Sequence, residues 1–183
     1  MIQKMLFAGA AALMLATAAQ AQPVNGGHGD ATMDFVTKAA QSDAFERQEG
    51  RLAEHRTHSS MVRTFAAEMV SAHTMTTKGL KMAIRQAHMA PPPPPMLTGD
   101  QMRMMADLKA AHGRNFDKIY VDQQVQAHQD ALGAMQSYAQ NGAPGPIRDA
   151  AAKTAPLVQH HLEMAKELQP TPVDPCFAGR LVV

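Results

Sequence analysis

The sequence predicts an all-α protein: a four-helix bundle whose second and third long helices are joined by a proline-rich crossover containing a short extra helix. Three observations lead there. Aromatics make up 4% of the 183 residues and tryptophan is absent, while alanine, methionine, glutamine and leucine abound, a composition that favours helix over sheet. Apolar residues recur at three- and four-residue steps through four long segments. Turn-forming clusters divide those segments into two tight hairpins with one long connection between them.

Residues 1–21 have the pattern of an export signal. Lys4 gives a positive start, Met5 to Ala19 is an apolar run of small residues, and Ala19-Gln20-Ala21 is an A-x-A cleavage site. The run is short for a membrane span, and nothing later resembles one. Cleavage between Ala21 and Gln22 would leave a periplasmic or secreted protein. The glycine-rich stretch 22–30 is expected to be a flexible lead-in, residues 31–169 the bundle domain, and residues 170–183, with three prolines and the lone Cys176, a disordered tail.

Within the domain, the first helix is expected from about Thr32 to about Arg56, with an inward line of Phe35, Ala39, Ser42, Glu46, Gly50 and Ala53. Glycine is costly inside a helix, so Gly50 implies close approach of a neighbour. Thr57-His58-Ser59 is too short to do anything but reverse the chain. The second helix runs from Ser60 to near His88, its stripe formed by Val62, Phe65, Ala66, Met69, Val70, Leu80, Ala83 and Ile84, with His73 midway along it. Pro91 to Pro95 make a stiff extended spacer. Thr98 and Gln101 form a capping box for a short helix carrying Met102, Met105 and Leu108, bent or broken near Gly113. From Asn115 the third long helix points Phe116, Tyr120, Gln124, His128, Ala131, Met135 and Tyr138 inward. After the turn cluster Asn141 to Pro146, the fourth carries Ile147, Ala150, Thr154, Leu157, His161, Ala165 and Leu168, with a kink expected at Pro156.

Two antiparallel pairs joined by one long crossover give the ferritin-like arrangement of a four-helix bundle. Heights can then be compared by counting from the turns. Glu46 and His73 lie about 13 and 14 residues from the first hairpin turn, and His128 and His161 about 15 and 18 from the second, so each pair is level to within about 5 Å. The expected result is one polar layer halfway along an apolar interior. Two readings of it stand. Glu46, the imidazoles, Gln124 and Tyr120 can form a satisfied hydrogen-bond network. Alternatively Glu46, His73, His128 and His161, with His160 as a substitute for its neighbour, can ligate a transition metal such as zinc, copper or iron.

Di-iron oxidase chemistry is not expected. It needs several carboxylates and Glu-x-x-His on two helices, whereas Val70 and Val158 stand three residues before His73 and His161. A copper variant would recruit the crossover thioethers of Met89, Met96, Met102, Met104 and Met105 beside His88 and His112, although methionine also serves as core filler. No phosphate loop, nucleophile elbow, C-x-x-C or H-E-x-x-H occurs. Loss of the signal removes Lys4 and no acid, turning 17 basic and 16 acidic residues into an even balance, which gives no reason to expect nucleic acid as partner. Cys176 has no second cysteine with which to form an internal disulfide.

Several spaced motifs resemble a bacterial family. They are Phe35, Ser42-x3-Glu46-x3-Gly50-x2-Ala53, Val62-Arg63-x-Phe65-Ala66-x2-Met69-Val70-x2-His73, Phe116-Asp117-x2-Tyr120, Gln124-Val125-x2-His128 and Pro156-x4-His161. The family is an exported domain of unknown function grouped with ferritin-like bundles, its members often described as membrane or outer-membrane proteins. The resemblance covers about residues 31 to 168 and implies fold and export, without an activity. Family members usually carry an aspartate before the second-helix histidine, where this chain has Ala72. The expectation is therefore a non-enzymatic exported bundle, needing no cofactor, with a structural or interaction role in the cell envelope and an envelope protein as the partner class it would meet. The alternative is a periplasmic transition-metal-binding protein.

Overall fold

The computed structural model describes residues 26–169, which form five helices: α1 (Gly26–Arg56), α2 (Ser60–Gln86), α3 (Gly99–Ala110), α4 (Gly113–Asn141) and α5 (Pro146–Glu167). The expected signal 1–21, the first part of the lead-in and the tail with Cys176 lie outside the described residues.

The sequence punctuation acts where it was expected. The Ser59 side chain caps α2 by accepting from the Val62 amide at 3.3 Å. Thr98 and Gln101 form the reciprocal capping box that opens α3. Gly113, in the left-handed region at φ +56°, marks the break between α3 and α4. One expectation needs correction. Gly26–Asp30 belong to α1 and not to a lead-in. The next turn is anchored to the far end of α4, where Phe35 stacks on Tyr138 at 4.0 Å and the Tyr138 hydroxyl donates to Thr32, and extending an anchored helix costs far less than starting one. Pro156 lies inside α5, as the sequence predicts, and buried positions on both sides of it, Ile147 and Ala151 before and Val158, His161, Leu162 and Ala165 after, keep to one face.

The four long helices pack in the cyclic order α1, α2, α5, α4, with α3 laid over the groove between α1 and α4. The start of α1 meets the end of α4, and the end of α2 meets the start of α5, so every adjacent pair is antiparallel. That leaves α2 and α4 parallel, which only a crossover running the length of the bundle can connect; the proline stretch and α3 supply it. At Gly50 a Cβ would come 2.8 Å from Val70 Cγ2 and 3.0 Å from the Ala66 carbonyl, so the close approach inferred from the sequence is between α1 and α2.

The interior is apolar at both ends. Near the α1–α2 turn, Ala53, Val62, Phe65, Met69, Leu108, Phe116, Tyr120 and Ala165 form one cluster. Near the α4–α5 turn, Phe35, Val36, Ala83, Ile84, Ile147 and Ala151 form another. Between them lies a band of buried polar side chains: Asp43, Glu46, Glu49, His73, Gln124, His128 and His161.

Candidate metal centre

Three helices each bring one imidazole to the bundle axis at the same level: His73 from α2, His128 from α4 and His161 from α5. All three are buried, at 4%, 0% and 1% exposure. Their ring centroids lie 5.5, 5.7 and 5.5 Å apart, close to an equilateral triangle. One nitrogen from each lies within 4.8 Å of the other two. An ion at the centre of a triangle with that edge sits about 2.8 Å from each corner, so each imidazole must close by about 0.7 Å to reach the roughly 2.0–2.1 Å of a zinc–nitrogen bond.

The hydrogen bonds behind two of the rings decide which nitrogens are free. His73 Nδ1 lies 3.0 Å from Asp43 Oδ1, and a carboxylate only accepts, so Nδ1 carries a proton and Nε2 is the nitrogen left to bind an ion. Asp43 is itself held: Oδ1 also accepts from Thr76 Oγ1 and Oδ2 from Thr77 Oγ1, both at 2.8 Å. His128 Nδ1 donates to the Gln124 carbonyl at 2.8 Å, which leaves Nε2 free by the same logic. His73 Nε2, His128 Nε2 and both nitrogens of His161 have no hydrogen-bond partner among the described residues. A carboxylate or carbonyl fixing one face of an imidazole while the other face is bare is the outer-shell arrangement of metal-binding histidines.

Electrostatics separates the three rings. Burial, reinforced by His128, His73 and His160, pushes the pKa of His161 down to about 3, so this ring is neutral near pH 7. Burial pulls His73 the same way, but the hydrogen bond to Asp43 and the charges of Glu46 and Asp43 outweigh it and leave its pKa raised. A metal at the triangle must therefore displace a proton that His73 tends to hold.

Three expected site features sit elsewhere. Glu46 is buried at the right level but stands behind His128, its Oε1 3.9 Å from Nδ1, and its Oε2 accepts from Gln124 Nε2 at 2.6 Å. It is therefore not a fourth corner; its long side chain runs toward the next turn of α4. His160 is exposed on the outer face of α5 and cannot replace His161. The crossover methionines do not gather. Met105 is in the core, Met96 and Met102 are exposed at 77% and 57%, Met89 packs on the far apolar cluster, and His112 is tied to Arg56 at 3.0 Å. The hydrogen-bond network forms only in part: Gln124 donates to Glu46 and Glu49, while the Tyr120 hydroxyl and both nitrogens of His161 have no partner among the described residues.

Two site residues were missed from the sequence, Asp43 and Glu49. Both are buried on α1, three residues either side of Glu46. An acid at every third position, Asp43-x2-Glu46-x2-Glu49, was the signal that could have found them.

Residues 14–168 match the family described as Domain of unknown function (DUF4142), so the chain belongs to that family. No curated protein and no solved structure matches it.

Proposed function

We propose that this protein is an exported, non-enzymatic helical bundle that binds one transition-metal ion through His73, His128 and His161. The observation that carries the proposal is three buried imidazoles that each bring one nitrogen within 4.8 Å of the other two, while His73 Nε2, His128 Nε2 and both nitrogens of His161 have no hydrogen-bond partner among the described residues. Each such atom costs on the order of 1–3 kcal/mol when left bare. Together they would consume a large share of the roughly 5–15 kcal/mol by which a domain is stable. A bound cation uses one lone pair from each ring and removes that part of the cost.

The donor set is three nitrogens with no thiolate, which suits Zn(II) or copper better than Mg(II) or Ca(II). The charges of Asp43 and Glu46, placed behind His73 and His128, would offset those of a divalent ion. Burial of the whole triangle supports retention of an ion over turnover of a substrate. Export rests on the Lys4 to Ala21 signal pattern. No helix among the described residues is long and apolar enough to cross a membrane.

The test is metal analysis of protein purified without a histidine tag, followed by titration with Zn(II), Cu(II) and Cu(I) against a competing chelator. One equivalent is expected, lost in His73→Ala and His128→Ala and kept in Met104→Leu. Absence of tight binding by any of the three would leave the layer a purely structural feature in the cell envelope.

A further inference from the structure

About one helical turn from the triangle, toward the α1–α2 turn, the interior holds a second set of polar side chains, of which only Glu46 also stands behind an imidazole. Glu46 and Glu49 come from α1, and Gln124 and Tyr120 from α4; none is more than 1% exposed. The single Gln124 amide nitrogen donates to Glu46 Oε2 at 2.6 Å and Glu49 Oε2 at 2.9 Å. Both carboxyl groups must therefore converge on one point. Both hydrogens of that amide are then used. What remains is four oxygens with no partner among the described residues: Glu46 Oε1, Glu49 Oε1, Gln124 Oε1 and the Tyr120 hydroxyl.

No lysine or arginine among the described residues pairs with either carboxyl; the one ionisable partner is the imidazole of His128 at 3.9 Å. Two acids sharing one amide in a dry interior are a poor structural device, since unpaired buried charge is among the costliest things a core can hold. Burial, with Glu46 alongside, holds the Glu49 pKa well above the usual carboxylate range. Tyr120 is the independent sign of a ligand. Its ring packs edge-on against Phe65 at 6.1 Å, it lies one turn before Gln124 on the same buried face of α4, and its hydroxyl is buried without a hydrogen-bond partner among the described residues.

We propose that Glu46, Glu49, Tyr120 and the amide oxygen of Gln124 form a second metal site, made only of oxygen donors, for a hard divalent cation such as Mn(II). Two carboxylates balance a charge of +2, and the all-oxygen set separates this site chemically from the all-nitrogen triangle. The Gln124 amide nitrogen occupies the point where both carboxyls converge, as a neutral stand-in. When an ion is taken up, the amide turns over and presents its oxygen to it. The proposal does not depend on occupancy of the triangle.

The experiment is titration of the full chain with Mn(II), followed by loss of the free-ion electron paramagnetic resonance signal, in wild type, Glu49→Gln, Tyr120→Phe and His161→Ala. Glu49→Gln is isosteric with the protonated acid, so folding is expected to survive, and a thermal melt in chelator checks this. One equivalent of Mn(II) should bind to wild type and to His161→Ala. Both Glu49→Gln and Tyr120→Phe should weaken it by more than about tenfold, the lower end of what even an outer-shell partner contributes. No Mn(II) uptake by wild type, or uptake unchanged in Glu49→Gln, would overturn the proposal. Uptake abolished by His161→Ala and kept by Glu49→Gln would do so too, by placing the ion at the triangle.

Discussion

Replacing Asp43 with asparagine separates the electrostatic role of that carboxylate from its role in packing. Asp43 accepts from His73 Nδ1 at 3.0 Å and from Thr76 and Thr77 at 2.8 Å each. An asparagine in the same rotamer keeps its oxygen toward His73 and Thr76 and turns its NH2 to Thr77. The Thr77 hydroxyl can accept that hydrogen bond, because its own proton has a second acceptor in the His73 carbonyl at 2.8 Å. No group need be orphaned, so the stability cost should be about 1 kcal/mol, the difference between a charge-assisted and a neutral hydrogen bond. In a domain of this size that lowers Tm by about 2–4 °C. The metal should feel the change more. Removing the carboxylate behind a ligating imidazole typically costs about 10–100-fold in affinity, or about 1.4–2.7 kcal/mol. Zinc competition titrations on wild type, Asp43→Asn and the exposed-acid control Asp100→Asn provide the measurement. Equal zinc affinity in wild type and Asp43→Asn, with the fold intact, would refute an outer-shell role for Asp43.

Other consequences can be checked by melting curves. Gly50→Ala gains about 1 kcal/mol of helix propensity. It also drives a methyl to 2.8 Å from Val70 Cγ2 and 3.0 Å from a backbone oxygen, and such overpacking costs about 1–3 kcal/mol, so the variant should melt at or below wild type. A melting temperature several degrees higher would mean α1 and α2 are not in contact there. His161, with its folded pKa near 3 against an ordinary 6.5, takes up a proton more readily when unfolded, so its stability contribution is lost as pH falls from about 6.5 toward 3. His73, with its folded pKa raised, opposes this: its contribution is full below 6.5 and is lost as pH rises through the folded value. Acid sensitivity should therefore flatten in His161→Leu and steepen in His73→Leu; equal pH profiles in both would contradict the separation. Glu49 is likewise raised, so it contributes fully below its ordinary 4.5 and less as pH rises. In chelator, Glu49→Gln should match wild type at pH 4 and exceed it at pH 8.

The level of the histidine layer was legible because helix rise is fixed and the two hairpin turns are unmistakable: counting residues from Ser59 and from Ala143 is enough to bring 73, 128 and 161 together. What sat behind the rings was not legible. Following a single three-four ladder along α1 selects Ser42 and Glu46, while the packed helix buries a wider face that also takes in Val36, Asp43, Phe45 and Glu49. Glu46 stands at the height that counting gives, but its carboxylate meets Gln124 and not the centre of the triangle, because height along a helix says nothing of where three rotatable bonds carry a carboxylate. The aspartate expected beside the α2 histidine by resemblance is absent at Ala72, and Asp43 of α1 contacts that histidine instead, a substitution visible only in three dimensions.

An anomalous difference map at the zinc edge, from crystals of protein loaded with one equivalent of Zn(II), tests the central claim most directly. A single strong peak is expected between His73, His128 and His161, with each nitrogen drawn in to about 2.0–2.1 Å. Zinc found only on outward histidines such as His160, with water or nothing between the three buried rings, would contradict it.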